Sequence, residues 1–137
     1  MSNADLARRM AQVADALAAF DHLPAVDSVG VYGDGDIYVR FAYDSTRQLS
    51  GLCDWADELG ILVTLTLSYG GSGDASIQFE LAGIAARLKV SLHSGQAYEL
   101  GAALQEPLSG AKPTVTVTPA KLRAAIMVHA ELAGSHA

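Results

Sequence analysis

The run Ile61-Leu62-Val63-Thr64-Leu65-Thr66-Leu67-Ser68-Tyr69 constrains the fold more than any other segment. Its odd positions are apolar, and after Leu62 its even positions are threonine or serine, the pattern of a strand with one face in a core and the other in water. One strand is not stable alone, so the chain must supply neighbours. Ile37-x-Val39-x-Phe41-x-Tyr43, Ile77-x-Phe79-x-Leu81 and Leu88-x-Val90-x-Leu92 alternate in the same way, and Val29-x-Val31 and Thr114-Val115-Thr116-Val117 add two shorter runs.

Turn chemistry connects these runs. Gly33-Asp34-Gly35 between Val31 and Ile37 reads as a three-residue hairpin loop. The register it sets pairs Val31 with Ile37 and Val29 with Val39 on one face, and Tyr38 with Gly30 on the other. An aromatic ring over a strand glycine supports that alignment. Gly70-Gly71-Ser72-Gly73-Asp74 turns the chain again. Taking Gly83-Ile84 as a type II′ turn places Glu80 opposite Arg87 and Gln78 opposite Lys89.

Three segments have helical spacing. Leu6, Met10, Val13, Leu17 and Phe20 form one stripe, begun by Ser2 and Asp5 as a short capping box and followed by Pro24. Asp44 or Ser45 can cap a second helix with Leu49, Leu52, Cys53, Ala56 and Leu59 inward and Gly60 past its end. Thr118-Pro119 starts a last helix carrying Leu122, Ile126, His129 and Leu132/Ala133. A short helix is expected around Tyr98–Gln105, ended by Pro107.

The fold class expected is α+β: a two-layer sandwich with a mostly antiparallel sheet of five or six strands and helices packed on one face. The element order is helix-β-β-helix-β-β-β-(β)-helix. One domain spans 1–137, with a core unit at 1–93, a long connection at 94–118 and a C-terminal helix at 119–133. If the second helix returns the chain past the first strand, the sheet order is 2-1-3-4-5 with every neighbour antiparallel. Five strands span roughly 24 Å, which two helices cover. A third must sit at an edge, on the outer face or against another copy, unless Thr114–Thr118 widens the sheet.

Composition narrows the class. Half of the residues are hydrophobic, which excludes disorder, and one cysteine excludes a disulfide scaffold. No apolar run reaches the ~18–20 residues of a membrane span, and Met1-Ser2-Asn3-Ala4-Asp5 lacks a secretory start, so the expected location is cytoplasmic. A net charge of -6 argues against direct nucleic-acid binding.

The search for chemistry returns turns and core positions. Cys53 lies on an apolar helix face with no histidine at i±4, as a buried thiol would. His22, His93, His129 and His136 lack metal-ligand spacing, and Asp34-Gly35-Asp36 lacks the following oxygen ligands of a calcium loop. The glycine clusters lead into strands, so no helix N-terminus faces a phosphate. Ser72 lies between glycines, but no helix follows it as in a nucleophile elbow. Asp54, Asp57 and Glu58 form an acidic group that is expected to be exposed. No catalytic residue, metal or cofactor is therefore assigned. The binding residues assigned are Tyr38, Arg40, Thr66 and Gln78 on the outer sheet face, and Trp55, beside the buried helical stripe, is an interface candidate.

Asp54-Trp55-Ala56-Asp57-Glu58-Leu59-Gly60 before a threonine-alternating strand, then Glu80-Leu81-Ala82-Gly83 and Leu88-Lys89-Val90, resembles small uncharacterised α+β proteins of actinobacteria and their phages and mobile elements. The stretch Leu17 to Pro24 is similar too, and the likeness covers about residues 5–92. It implies no particular activity and offers no catalytic residues to carry over. The leading functional expectation is a non-enzymatic protein that binds a protein partner or itself as a homo-oligomer. The alternative is a small-molecule binder or enzyme with a pocket between sheet and helices, closed by residues 94–112. An acidic modulator of a DNA-binding protein is a third.

Overall fold

The computed structural model describes the backbone of residues 2–31, 36–41, 45–93 and 95–135, and the side chains of these except 45–47, 69 and 129–135. The elements are α1 (Asn3–Ala18), β1 (Val26–Val31), β2 (Ile37–Phe41), α2 (Ser45–Leu59), β3 (Val63–Leu67), β4 (Gly73–Leu81), β5 (Ile84–Leu92), α3 (Gln96–Ala103), β6 (Thr114–Val117) and α4 (Pro119–Ser135). The fold is α+β with one mixed six-stranded sheet. The Gly33–Gly35 loop, Tyr43 and the Asp44 cap fall outside the described residues.

Local signals act where the sequence places them. At the start of α1 the Ser2 hydroxyl accepts the Asp5 N–H at 3.1 Å, and the Asp5 carboxylate accepts the Ser2 N–H at 3.4 Å. The Ser2 bonds hold the Asp5 carboxyl below its usual range. At the other end of the chain the Thr118 hydroxyl accepts the Lys121 N–H at 3.2 Å. Gly60 takes a positive φ of 66° just after α2, the left-handed conformation that ends many helices.

The first hairpin has the expected register: Val29 faces Val39, Gly30 faces Tyr38 and Val31 faces Ile37. The second does not. Its two loop residues are Ala82 and Gly83, both at positive φ (53° and 75°), so the turn is type I′ rather than II′. Leu81 therefore faces Ile84, Gln78 faces Arg87 and Ser76 faces Lys89, while Glu80 lies opposite Ala85. The shift is two residues, which keeps each side chain on its face but replaces the Glu80–Arg87 pair.

Sheet order also differs from expectation. The strands run β1-β2-β5-β4-β3-β6, and β2 pairs with β5 in parallel. Burial agrees with this order. Ala86, Leu88, Val90 and Leu92 of β5 are all at most 3% exposed, in keeping with an interior position under the helices. The nine-residue β4 and β5 take the centre, whereas β1, with Asp27 and Ser28 exposed and a register irregularity between Val26 and Ser28, takes an edge. Strand β6 joins the other edge antiparallel to β3.

Buried residues form one cluster, with Ile37, Leu65, Leu88 and Val90 from the sheet and Leu49, Leu52, Cys53 and Ala56 from α2. Helix α2 contacts β3, β4 and β5, and α4 contacts α2 and α3. The segment after β5, expected as a connection, contributes Ala97, Leu100 and Leu108 to the same core.

Candidate functional site

Alternation on the sheet puts one set of side chains opposite the core. Across four strands, Gly30, Tyr38, Arg87 and Gln78 form a row of direct neighbours. Lys89, Ser76, Thr64 and Thr116 form a second, and Ser91, Asp74, Thr66 and Thr114 a third. Two shallow depressions lie along them. One, of about 110 Å³, is lined by Asp36, Tyr38, Gln78 and Arg87 among others. The other, of about 320 Å³, is lined by Leu62, Thr64, Thr66, Asp74, Ser76, Gln78 and Arg87.

Three of the four assigned binding residues, Tyr38, Gln78 and Thr66, thus border these depressions. Arg40 does not border either and is exposed on β2. Arg87 belongs to both depressions and was not assigned. The type II′ register sets it opposite Glu80, whereas the observed register places it between Tyr38 and Gln78, with no ion pair among the described residues. Lys89 is tied to Asp74 at 3.5 Å. Such a surface offers an aromatic ring, a guanidinium, an amide and several hydroxyls side by side. It can hydrogen-bond to carboxylate or amide edges of a partner.

Trp55 is not at a rim. It is 1% exposed, its indole N–H donates to the Pro24 carbonyl at 3.0 Å, and its ring lies 5.3 Å from Phe20 and 5.9 Å from Phe79. The helical stripe explains this, because Trp55 shares the buried arc of α2 with Leu52 and Ala56. Trp55 is also among the residues that line a groove of about 350 Å³ between α1 and the 20–26 segment.

The acidic group on α2 is divided between partners. Arg123 of α4 reaches both Asp54, at 2.7 Å, and Asp57, which fastens α4 to α2. Glu58 lies 3.1 Å from His22 Nε2. Asp54 and Asp57 thus share one guanidinium, and Glu58 sits beside an imidazole. Among the described residues no three His, Cys, Asp or Glu side chains converge to hold a metal. His136 lies outside the described residues, as does the side chain of His129.

Cys53 is fully buried, and desolvation pushes its thiol up to about 11. Thiolate is the reactive form, so at pH 8 far less of it is present than for a free cysteine. A thiol-reactive dye is therefore expected to label the folded protein only as it opens, with full labelling in denaturant. Prompt labelling of native protein would contradict the burial.

No helix among the described residues is long and apolar enough to cross a membrane. No protein-family model, no curated protein and no solved structure matches this chain.

Proposed function

We propose that this chain is a non-enzymatic interaction protein that associates with a second copy of itself through α4. The supporting observation is the circumference of that helix. Leu122 and Ala125 are buried and Ile126 is half-buried, yet Ala124, Met127 and Val128 point outward, with Met127 64% and Val128 46% exposed. Residues 124–128 are consecutive and apolar, and at ~100° per residue they encircle the helix. A helix that is apolar all round belongs inside a larger assembly. In this reading the four helices share one side of the sheet, and the row Tyr38–Arg87–Gln78, with Arg40 and Thr66 nearby, stays open to a further protein partner on the other.

For the small-molecule alternative, Ala97, Leu100 and Leu108 of the 94–112 segment lend less support, since they are packed into the core.

Size-exclusion chromatography with light scattering tests the proposal. The wild-type chain is expected to run as a dimer or larger at hundreds of micromolar. Met127→Glu should weaken association by roughly thirtyfold or more, the effect of losing a central apolar anchor. A strict monomer at that concentration would remove self-association from the account.

A further inference from the structure

We propose that the groove between α1 and the Phe20–Val26 segment receives the apolar face of a basic amphipathic helix from a protein partner. This rests on the interaction reading above only in taking the chain to bind protein, and it does not involve α4.

The groove measures about 350 Å³, within the size range of sites that hold apolar groups. Leu17, Phe20, Leu23, Pro24, Val26 and Trp55 supply most of its wall. The Trp55 N–H is already bonded to the Pro24 carbonyl, so this part of the lining asks for apolar filling rather than a polar ligand. Its α1 side is lined by Ala14 and Ala18, small exposed residues over which another helix can approach closely. One turn before Ala14, on the same face of α1, Met10 is 52% exposed. The apolar track from Met10 to Ala18 is about 12 Å long, roughly two turns of a docked helix. An anchor-and-track surface of this kind matches helix-in-groove recognition.

Charge selects the partner. No lysine or arginine occurs between Arg9 and Arg40, while Asp21 lines the groove and Asp15 and Asp27 adjoin the lining residues Ala14 and Val26. None of these three aspartates has an ion pair among the described residues. A partner helix with lysine or arginine flanking its apolar face would meet unneutralised carboxylates. A second copy in a two-fold arrangement would instead set this acidic stretch against itself.

Trp55 is the sole tryptophan and lines the groove, so its emission reports occupancy directly. The probe is an 18-residue peptide of leucine and lysine without tryptophan, its leucines at helical i, i+3, i+4, i+7 spacing. Titration should give a saturable change in Trp55 emission. The same peptide with glutamate for lysine should bind at least tenfold more weakly, and so should the basic peptide to Ala14→Arg or Asp21→Arg. Both positions are exposed, far-UV circular dichroism verifies folding, and Asp21→Asn gives a milder variant that removes only the charge. Absence of a saturable signal would overturn the proposal. So would equal binding of the acidic peptide, or indifference to all three substitutions. If Ala14→Arg abolishes self-association by light scattering, a second copy fills the groove and the proposal is also overturned. Loss of dimers in Met127→Glu with peptide binding retained would separate this site from the α4 surface.

Discussion

Trp55→Ala is expected to lower the free energy of unfolding by about 4 kcal/mol, the range for truncating a buried large aromatic. The ring sits between Phe20 and Phe79, so its removal separates the end of α1 and the following segment from α2 and from β4. It also leaves the Pro24 carbonyl without its donor. Since domains of this size are stable by only about 5–15 kcal/mol, the variant should be near the edge of folding at 37 °C. Urea unfolding followed by far-UV circular dichroism checks it. Trp55→Phe, which keeps a ring and loses the N–H, should cost about 1–2 kcal/mol. An alanine variant within about 1 kcal/mol of wild type would mean that Trp55 is not the keystone between α1 and α2.

Gly73→Ala is expected to be nearly as damaging for a different reason. A Cβ built at Gly73 lies 2.0 Å from the Thr66 carbonyl oxygen. That oxygen belongs to the backbone of β3, so no side chain can move aside. The added methyl must push apart the start of β4 and the end of β3, where Leu67 pairs with Gly73. The adjoining Ser68 N–H to Ser72 carbonyl bond, at 2.7 Å, stands to be lost with them. Overpacking of this kind costs about 3 kcal/mol. Urea unfolding read by Trp55 emission gives the value, and loss of protection at the Thr66 and Ser68 amides in hydrogen exchange would locate it. A neutral alanine variant would show that β3 and β4 do not approach so closely.

How much of this was legible in advance depended on how local the determining physics is. Ser2 with Asp5, Thr118 with Lys121, and Tyr38 opposite Gly30 each depend on residues within ten positions of one another, and each pairing is found as expected. The β4–β5 turn shows where local reading fails. Gly83 marks the turn in the sequence, but nothing marks Ala82 for positive φ, a conformation a non-glycine residue seldom takes. The resulting two-residue slip keeps the core face and sets Arg87 opposite Gln78 instead of Glu80. Strand order is less local still. The expected order keeps every neighbour antiparallel and the sheet uniform, whereas β5, apolar at Ala86, Leu88, Val90 and Leu92, takes an interior position parallel to β2. Trp55 was legible as a neighbour of the α2 stripe but not as the centre of a three-ring cluster, because Phe20 and Phe79 come to it from distant segments.

The sheet-face surface depends on this topology. The row Tyr38–Arg87–Gln78 exists only where β2 and β5 are bonded side by side. Nuclear Overhauser contacts between backbone protons test that seam directly. The account predicts cross-strand contacts linking Tyr38 and Val39 with Arg87 and Leu88 in a parallel pattern. Contacts joining β1 to β3, with none between β2 and β5, would contradict it.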